Sequence, residues 1–300
     1  MTPTADRIVG CSVVVLTLNE QVNIEACITS LDGLGDVHVL DSGSRDGTSS
    51  LAERAGARVA VNPFRSFGQQ RNWAHDHLPL VSDWVLHLDA DERLTPALAA
   101  EIRAAIAADD GRLAGWLLAE KTMLNGRWLR HAAQYPRYQA RLVHRRRMRF
   151  VDHGHGQREE STLSFGRLQE PYEHHAFSHG IEHWLVKHAG YAMREAQQIL
   201  SVQPAATVGA TAASSWWSDA VSRRRALKRF AMRLPMRPAL RWLHVMACGG
   251  WRDGAVGLQY ARMMSTFQHM IDLCEAELHA KRDFVGAADS DVRSHGESAS

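Results

Sequence analysis

WVLHLDADE, residues 84 to 92, joins a short apolar run to two carboxylates that stand one residue apart, Asp89 and Asp91. The run is typical of a buried strand, and a buried carboxylate is costly unless it is paired or holds a cation. In an open α/β sheet, ligands bind outside the carboxyl ends of the strands. Mg²⁺ commonly takes one or two carboxylates together with phosphate oxygens. The stretch therefore predicts a site for a divalent cation and a diphosphate, with two acids in a solvated loop as the alternative.

Strand and helix signals alternate around this stretch. Apolar runs typical of strands cover residues 11–16, 37–40, 58–61 and 84–88, and helical patterns follow Asn23, Thr48 and Thr95-Pro96. Asn and Thr are common N-caps, and proline suits the first helical turn. Alternation of this kind indicates βαβ units and a mostly parallel sheet, an α/β fold. Further strands are predicted near residues 115–119 and 139–144, and a helix near 181–200.

The totals of the chain restrict its class. Its 300 residues are 45% apolar and 23% charged with a net charge of +2, which is typical of a globular protein. The four cysteines are far apart and form no C-x-x-C pair, which favours a reducing compartment over structural zinc. We recognise neither a signal peptide nor a run of about 18 apolar residues, so we expect a cytoplasmic protein without a spanning helix.

Polar side chains follow the first two predicted strands as well as the fourth. They are Thr17, Asn19 and Glu20 after the first strand and Asp41 after the second. All of them should meet Asp89 and Asp91 at one sheet edge, around one ligand. No G-x-G-x-x-G follows the first strand and no P-loop is present, which argues against dinucleotide and P-loop sites. A capped turn that only feeds a helix is the alternative for residues 41–48.

Four segments then carry a resemblance to a known family. They are TLNE at 17–20, DSGSRDGT at 41–48, FGQQRNWA at 67–74 and DWVLHLDADE at 83–92. Together they resemble the inverting glycosyltransferases of family 2, which have the GT-A fold. They are most similar to bacterial lipopolysaccharide-core glucosyltransferases and related exopolysaccharide glycosyltransferases. The resemblance is strong over residues 9–110 and looser through YPRYQARL at 135–142 and the basic C-terminal third.

The resemblance implies a donor, a metal and their ligands. The donor would be a nucleotide sugar, UDP-glucose or a similar UDP-hexose, and Mg²⁺ or Mn²⁺ would be held by Asp89 and Asp91. Asp41 would bind the nucleoside, and Gln70 would help to shape the donor pocket. Arg71 could face the diphosphate, because a guanidinium matches phosphate oxygens bidentately. An ordinary amphipathic helix over residues 67–74 is the alternative.

The catalytic base is harder to locate. An inverting transfer needs an acidic side chain that removes the proton of the acceptor hydroxyl. Family members commonly carry F-x-G-x-V-H-E, whereas this chain reads FVDHGHGQRE at 150–159, with Gly156 in the place of the glutamate. Asp152, Glu159 and Glu92 are therefore all candidates. Because Gly156 replaces the glutamate, a second hypothesis is a catalytically inactive protein that binds a nucleotide sugar or acts as a scaffold. Among enzymes, the closest alternative is a lipid-phosphate glycosyltransferase.

Histidines crowd the segment that follows. HGIEH at 179–183 fits the H-x-x-E-H pattern of inverted zinc peptidases. The pattern is short and no third ligand can be identified, so we favour polar residues near an acceptor site over a zinc centre.

The C-terminal third is basic. Nine Lys and Arg residues lie between Asp219 and Asp253 with no acid among them, interleaved with Leu, Phe and Trp. This composition favours a membrane surface, with a helical lid as the alternative. No nucleic-acid motif accompanies the charge. We predict a catalytic domain over 1–215, a membrane-associating helical region over 216–280 and a disordered tail over 281–300. The protein would act on a lipid-linked glycan acceptor at the cytoplasmic face of the inner membrane.

Overall fold

The computed structural model describes residues 10–153, 156–201 and 236–296. Within it the chain forms two compact units, Met1–His179 and Gly180–Ser300. The domain boundary predicted at residue 215 lies outside the described residues, as do most of the basic residues of the C-terminal third.

The first unit contains the predicted alternation of strands and helices. Its first elements are β1 (Ser12–Thr17), α1 (Ile24–Thr29), β2 (Val37–Asp41), α2 (Thr48–Arg54), β3 (Arg58–Val61), α3 (Phe67–His77), β4 (Trp84–Asp89), β5 (Glu92–Arg93) and α4 (Pro96–Ala107). The remaining strands are β6 (Leu113–Leu124), β7 (Arg127–Trp128), β8 (Arg137–His144), β9 (Arg149–His153), β10 (Gly156–Glu160), β11 (Ser164–Arg167) and β12 (Tyr172–His174). The strands predicted near 115–119 and 139–144 are thus confirmed within β6 and β8.

One large sheet organises this unit. Its strands run in the order β3-β2-β1-β4-β8-β6-β12-β5, and β7 and β11 also pair with β6. The strands β3, β2, β1 and β4 are parallel, as the βαβ pattern predicts. Beyond β4 the sheet becomes mixed, because β8 is antiparallel to both β4 and β6. Within the described residues, β9 and β10 form a separate antiparallel pair.

Both faces of the parallel strands are covered, which explains why β1 is an unbroken apolar run. Val13 and Val15 lie in the core that α1, α2 and α4 share with the sheet. Val14 and Leu16 face the opposite side and pack near Ala74 of α3. A strand buried on both faces needs apolar residues at every position rather than at alternate ones.

The second unit is helical in the part that the structure describes. It comprises α5 (Gly180–Ser201), α6 (Arg237–Ala247), a 3-10 turn (Gly250–Asp253) and α7 (Gly254–Gly296). The helix predicted near 181–200 is therefore confirmed as α5. The rings of His188 in α5 and Phe267 in α7 meet edge to face, with centroids 5.2 Å apart. No helix among the described residues is both long and apolar enough to cross a bilayer.

The end of α7 differs from the sequence-based expectation. A disordered tail was predicted over 281–300, whereas α7 continues through Gly296. Residues 281–296 contain no proline. An existing helix can therefore extend through them at the cost of ordering one residue per added hydrogen bond.

Candidate active site

The carboxyl edge of the parallel strands brings together three residues that the sequence singles out. Thr17 ends β1 opposite Asp41 of β2, and Asp89 of β4 pairs with the neighbouring position of β1. The expected convergence of the three strand ends at one edge is therefore present. Asp91 follows two residues after Asp89, on the turn between β4 and β5.

Asp41 organises the loop that follows β2. Its buried carboxylate accepts hydrogen bonds from Thr17 Oγ1 at 2.9 Å and from the backbone amides of Gly43 and Ser44 at 3.0 and 2.8 Å. Gly43 has φ of 96°, a conformation that glycine adopts without a Cβ clash. These donors use most of the acceptor capacity of the Asp41 carboxylate, so Asp41 fixes the shape of this loop.

The loop after β1 is fastened to the loop after β2. Asn19 accepts a hydrogen bond from the Arg45 amide at 2.9 Å, and the Glu20 amide donates to Thr48 Oγ1 at 2.7 Å. The Glu20 carboxylate lies 3.0 Å from His179 Nε2. The two loops therefore form one connected rim at the carboxyl edge.

Helix α3 supplies Gln70 and Arg71, and both are buried. Gln70 donates through Nε2 to Ser42 Oγ at 3.2 Å and to the Asn62 carbonyl at 2.8 Å. Arg71 donates to Asp89 Oδ1 at 3.3 Å, and its side chain is only 5% exposed. This placement puts the Arg71 guanidinium behind Asp89, where it supports that carboxylate instead of lying open at the surface.

A second buried arginine reaches Asp89 from the other side. Arg141 in β8 donates to Asp89 Oδ2 at 2.8 Å and also contacts the fully buried Glu92. Burial opposes ionisation of Asp89, but Arg141 and Arg71 outweigh it and lower the pKa of Asp89 to about 2. For Glu92 burial outweighs Arg141 and raises the pKa to about 7. Glu92 also accepts a hydrogen bond from the Asp89 amide at 3.0 Å, so it holds the turn in place.

A β-bulge aims Arg141 at these acids. In the pairing of β6 with β8, Trp116 lies opposite Leu142 and Leu117 lies opposite Ala140, so Arg141 is the extra residue. A bulge places two consecutive side chains on nearly the same side of a strand. Arg141 therefore shares a side with Leu142, and its guanidinium lies 5.6 Å from the centre of the Tyr172 ring.

Asp91 meets a histidine from β12. His174 Nε2 lies 3.2 Å from Asp91 Oδ2, and each side chain is 22% exposed. The opposite ring nitrogen, Nδ1, lies 2.9 Å from the buried carboxylate of Glu120. Burial disfavours the charged imidazole, but Asp91 and Glu120 outweigh it and hold the pKa of His174 well above its usual value.

The donor set at Asp91 and His174 fits a divalent cation. A carboxylate oxygen and the nitrogen of a neutral imidazole are both ligands of Mn²⁺-type ions, so a cation here would displace the proton that His174 shares with Asp91. The remaining positions would go to phosphate oxygens and water. Among the described residues, no group of three or more His, Cys, Asp or Glu side chains is arranged to hold a metal. Asp89, predicted as the other ligand, is engaged by two arginines.

The candidate bases occupy different environments. Asp152 accepts hydrogen bonds from Ser66 Oγ at 2.8 Å and Gln69 Nε2 at 3.2 Å, so it caps the start of α3. These bonds, led by that from Ser66, lower the pKa of Asp152. Glu92 is buried in the arginine network described above. Glu159 in β10 is partly exposed and lies within electrostatic range of Arg71.

The H-x-x-E-H pattern does not form one helical face. His179 precedes α5 and contacts Glu20, while His183 lies within α5. Because two histidines can share a helix face only if both belong to the helix, the geometry behind the zinc alternative is lost.

Three residues of the site were missed from the sequence, namely Glu120, Arg141 and His174 in its contact with Asp91. One signal was available: Gln139 and Arg141 in the strand predicted near 139–144, with Arg137 just before it, are polar at every second position, which indicates a polar stripe on one face. Their partners come from other strands and could not be identified from the sequence.

Asp89 and Asp91 at the end of β4, the connected loops at the carboxyl edge and the mixed sheet are the features expected of the GT-A fold that the sequence predicts. The chain belongs to glycosyl transferase family 2, and the sequence model of that family matches residues 12–163.

Relatives of known description agree with this class. The chain is 33% identical over 120 residues to the lipopolysaccharide core biosynthesis glycosyltransferase LpsC of Rhizobium meliloti. The aligned segment covers 38% of this chain and 43% of LpsC. The chain is 38% identical over 92 residues to an uncharacterized glycosyltransferase of Rickettsia conorii, covering 30% of this chain and 32% of that protein. The chain thus matches less than half the length of these curated relatives.

A solved structure is also similar. It is glucosyl-3-phosphoglycerate synthase from Mycobacterium tuberculosis in complex with Mn²⁺, UDP and glucosyl-3-phosphoglycerate, with 29% sequence identity and a TM-score of 0.31. The match covers 37% of this chain and 43% of that one.

Proposed function

We propose that the protein is a metal-dependent inverting glycosyltransferase that moves a hexose, most simply glucose, from a UDP-sugar to a lipid-linked glycan. The acceptor would belong to lipopolysaccharide or exopolysaccharide assembly. The observation that carries the proposal is the pair formed by Asp91 and His174, whose side chains lie 3.2 Å apart at the carboxyl edge of the sheet and are both partly exposed.

The rim of the two fastened loops would receive the nucleoside. Thr17, Asn19 and Glu20 shape the first loop, and Asp41 holds the second in its turn. Because Asp41 already accepts several bonds, we assign it the role of fixing the loop that contacts the base and ribose. Gln70 supports the same loop through Ser42.

The diphosphate and its cation would lie at Asp91 and His174. A bound divalent cation would offset the charge that develops on the departing diphosphate. Arg71 and Arg141 keep Asp89 ionised and in a fixed position, and Glu92 fixes the backbone of the same turn. These residues therefore preorganise the turn on which Asp91 stands.

We assign the base to Glu159. The carboxylate of Asp152 is used in capping α3, and that of Glu92 is buried against Arg141. Asp152 is the most exposed of the candidates, but Ser66 and Gln69 occupy its carboxylate. Glu159 is partly exposed and lies within electrostatic range of Arg71. It would take the proton of the acceptor hydroxyl while that oxygen attacks the anomeric carbon from the face opposite UDP, which inverts the configuration as UDP departs.

An exposed apolar face of α6 favours the proposal that the acceptor is linked to a lipid. Leu240 and Leu243 stand three positions apart, so they lie on one side of the helix, and they are 38% and 53% exposed. Met236, which immediately precedes the helix, is 75% exposed. Val245, on the opposite side, is buried. Trp251 in the following turn is 67% exposed, and Arg241 and Arg252 are exposed beside it. Exposed apolar side chains with neighbouring cations suit an anionic membrane surface.

This face fits a membrane-associating region over 216–280 attached to a catalytic domain over 1–215. The enzyme would then work as a peripheral protein at the cytoplasmic face of the inner membrane. The similarity to LpsC, whose name places it in lipopolysaccharide core biosynthesis, supports the same class of acceptor.

Calorimetric titration of UDP, GDP and their glucose and mannose derivatives, with and without Mn²⁺, tests the proposal. We expect Mn²⁺-dependent binding of the uridine compounds by the wild type and its loss in Asp91→Asn. Asp76→Asn is the matched control, because Asp76 is an exposed acid paired with Arg149. Unchanged UDP affinity in Asp91→Asn, or a preference for GDP, would contradict the proposal. Release of free sugar from the donor would separate an active enzyme from an inactive binding protein.

A further inference from the structure

Glu120 is a buried carboxylate whose role the proposed reaction does not yet explain. Its side chain is 1% exposed, in β6 beside β12. It accepts hydrogen bonds from three side chains besides His174, namely Thr122 Oγ1 at 2.7 Å, Arg137 Nη2 at 2.6 Å and Gln139 Nε2 at 3.2 Å. A carboxylate with this many donors is both ionised and fixed in orientation.

The contact with His174 fixes the histidine ring. An ionised carboxylate can only accept, so His174 Nδ1 must carry the hydrogen in the 2.9 Å contact with Glu120. Asp91 is a carboxylate as well, so without a cation Nε2 also carries a hydrogen and donates it to Asp91. A bound cation would displace that hydrogen, and because Glu120 retains the one on Nδ1, the lone pair would lie on Nε2. Nε2 is the atom that lies 3.2 Å from Asp91, so Glu120 directs it to the place where the cation would bind.

The strand register shows why these groups meet. Tyr172 pairs with Glu120 and His174 pairs with Thr122 across β6 and β12, so Glu120 and His174 lie on the same face of the sheet. On the other side of β6, Arg137 pairs with Glu120, and Gln139 lies two positions further along β8 on the same face.

Pairing with Arg137 alone does not account for the burial of Glu120. The Arg137 side chain is 54% exposed and could be neutralised by an acid at the surface, without burying a carboxylate. A buried ion pair contributes little net stability compared with apolar residues of the same size. The polar cluster is therefore better explained by the orientation it gives to His174 than by the stability of the sheet.

We propose that Glu120 is a positioning residue that holds His174 in the tautomer and orientation needed to bind the divalent cation together with Asp91. The inference rests on the proposed function, because it requires a cation at Asp91. Hydrogen-bonded carboxylates behind metal-binding histidines commonly change metal affinity by about 10- to 100-fold.

The test measures Mn²⁺ binding rather than turnover. Mn²⁺ is titrated into wild-type protein and Glu120→Gln in the presence of UDP, and free Mn²⁺ is followed by electron paramagnetic resonance. We expect Mn²⁺ to bind about 10- to 100-fold more weakly to Glu120→Gln. Affinity for UDP without metal should stay within about twofold, because Glu120 contacts no part of the nucleoside rim. A merely structural role would weaken both affinities together.

Two further variants make the test decisive. Glu120→Asp keeps the charge but withdraws the carboxylate from Nδ1, so it should also weaken Mn²⁺ binding, and it replaces Glu120→Gln if that protein does not fold. Glu173→Gln is the matched control, because Glu173 is a carboxylate of the adjacent strand paired with Lys121 at 2.6 Å. We expect it to leave Mn²⁺ affinity unchanged.

The outcomes separate this inference from the function on which it rests. If Asp91→Asn abolishes Mn²⁺ binding but both Glu120 variants bind it normally, the positioning role is wrong and the metal site stands. Equal losses in Glu173→Gln and Glu120→Gln would also overturn it. If Asp91→Asn binds Mn²⁺ normally, the proposed function itself fails.

Discussion

Arg141 and Asp89 lie on antiparallel neighbouring strands, and the Arg141 guanidinium donates to the Asp89 carboxylate at 2.8 Å. The same guanidinium also contacts Glu92. The buried Arg141 guanidinium thus pairs with two carboxylates of the turn that carries Asp91. It comes from a segment about fifty residues further along the chain.

Arg141→Met should lower the free energy of unfolding by about 3–5 kcal/mol, since removing one partner of a buried charge network leaves the acids without compensation. Urea denaturation measures the loss. Arg146→Met is the control, because Arg146 is 72% exposed and pairs with Asp83 at the surface. The free energy of unfolding of Arg146→Met should fall by less than about 1 kcal/mol. Similar small losses in both variants would show that Arg141 is not a structural cation.

Glu159→Gln should lower kcat by about 10²- to 10⁴-fold, which is the usual contribution of a general base. Asp152→Asn should retain near-normal turnover, because its carboxylate caps α3 through Ser66 and Gln69. The measurement is initial velocity with saturating donor once an acceptor is available, or donor hydrolysis without one. Near-normal rates in both variants would move the base elsewhere, and a loss confined to Asp152→Asn would transfer the assignment to Asp152.

The buried pair His75 and His87 should make stability fall in weak acid. Their Nε2 atoms are 2.8 Å apart. Burial, reinforced by Arg149, lowers the pKa of His75 to about 4, and burial holds that of His87 well below its usual value of 6.5. Because both values are depressed in the folded state, the unfolded chain binds more protons at these two histidines. The contribution of the pair to stability is therefore fully present above about pH 6.5 and decreases towards pH 4.

For His75 alone this decrease is on the order of 3 kcal/mol. Urea midpoints between pH 7 and pH 4 measure it. Replacing the pair together, His75→Phe with His87→Leu, should remove this decrease, so the difference in stability between the wild type and the double variant should change between pH 7 and pH 4. Glu92, whose pKa is raised to about 7, contributes with the opposite sign in the same window but is present in both proteins. A difference that does not change with pH would show that the pair is not neutral in the folded protein.

Leu243→Glu should weaken binding to vesicles that contain anionic lipid by about tenfold or more, because a buried leucine contributes roughly 1.5–3 kcal/mol. Vesicle flotation at low and high salt measures it. Val186→Glu is the control, since Val186 is a 72% exposed apolar residue of α5 that is not part of the α6 face. Equal losses in both variants, or wild-type binding that ignores lipid charge, would argue against the membrane face.

The parallel half of the sheet could be predicted because its signals are local. A buried run such as that of β1, followed by a capped helix, specifies a βαβ unit within about thirty residues. The ends of those strands then place Asp41 and Asp89 on one edge. The roles of single side chains were harder to predict from the sequence, because they depend on hydrogen-bond partners from distant parts of the chain. Asp41 was expected to bind the nucleoside, yet Thr17 and two backbone amides already use its carboxylate.

The proposed metal ligand His174 and its partner Glu120 could not be recognised from local sequence patterns. His174 belongs to a short strand whose place beside β6 depends on the path of the whole chain. Its sequence neighbours, which include His175 and His179, made the histidines look like one cluster. In the structure His174 contacts Asp91 and Glu120, whereas His179 contacts Glu20.

The bulge at Arg141 couples the strand pairing of the sheet to the charges of the site. With that residue deleted, Gln139, Ala140, Leu142 and Val143 would alternate regularly across β8, and each apolar side chain would keep its present face. The strands β6 and β8 would pair without a bulge, while the turn carrying Asp91 would lose the Arg141 guanidinium that pairs with Asp89 and Glu92. Deletion would thus simplify the pairing of β6 with β8 and destabilise the protein at the same time, because the buried carboxylates of Asp89 and Glu92 would lose the guanidinium that compensates them. The irregularity of β8 is therefore a requirement of the acids with which Arg141 pairs.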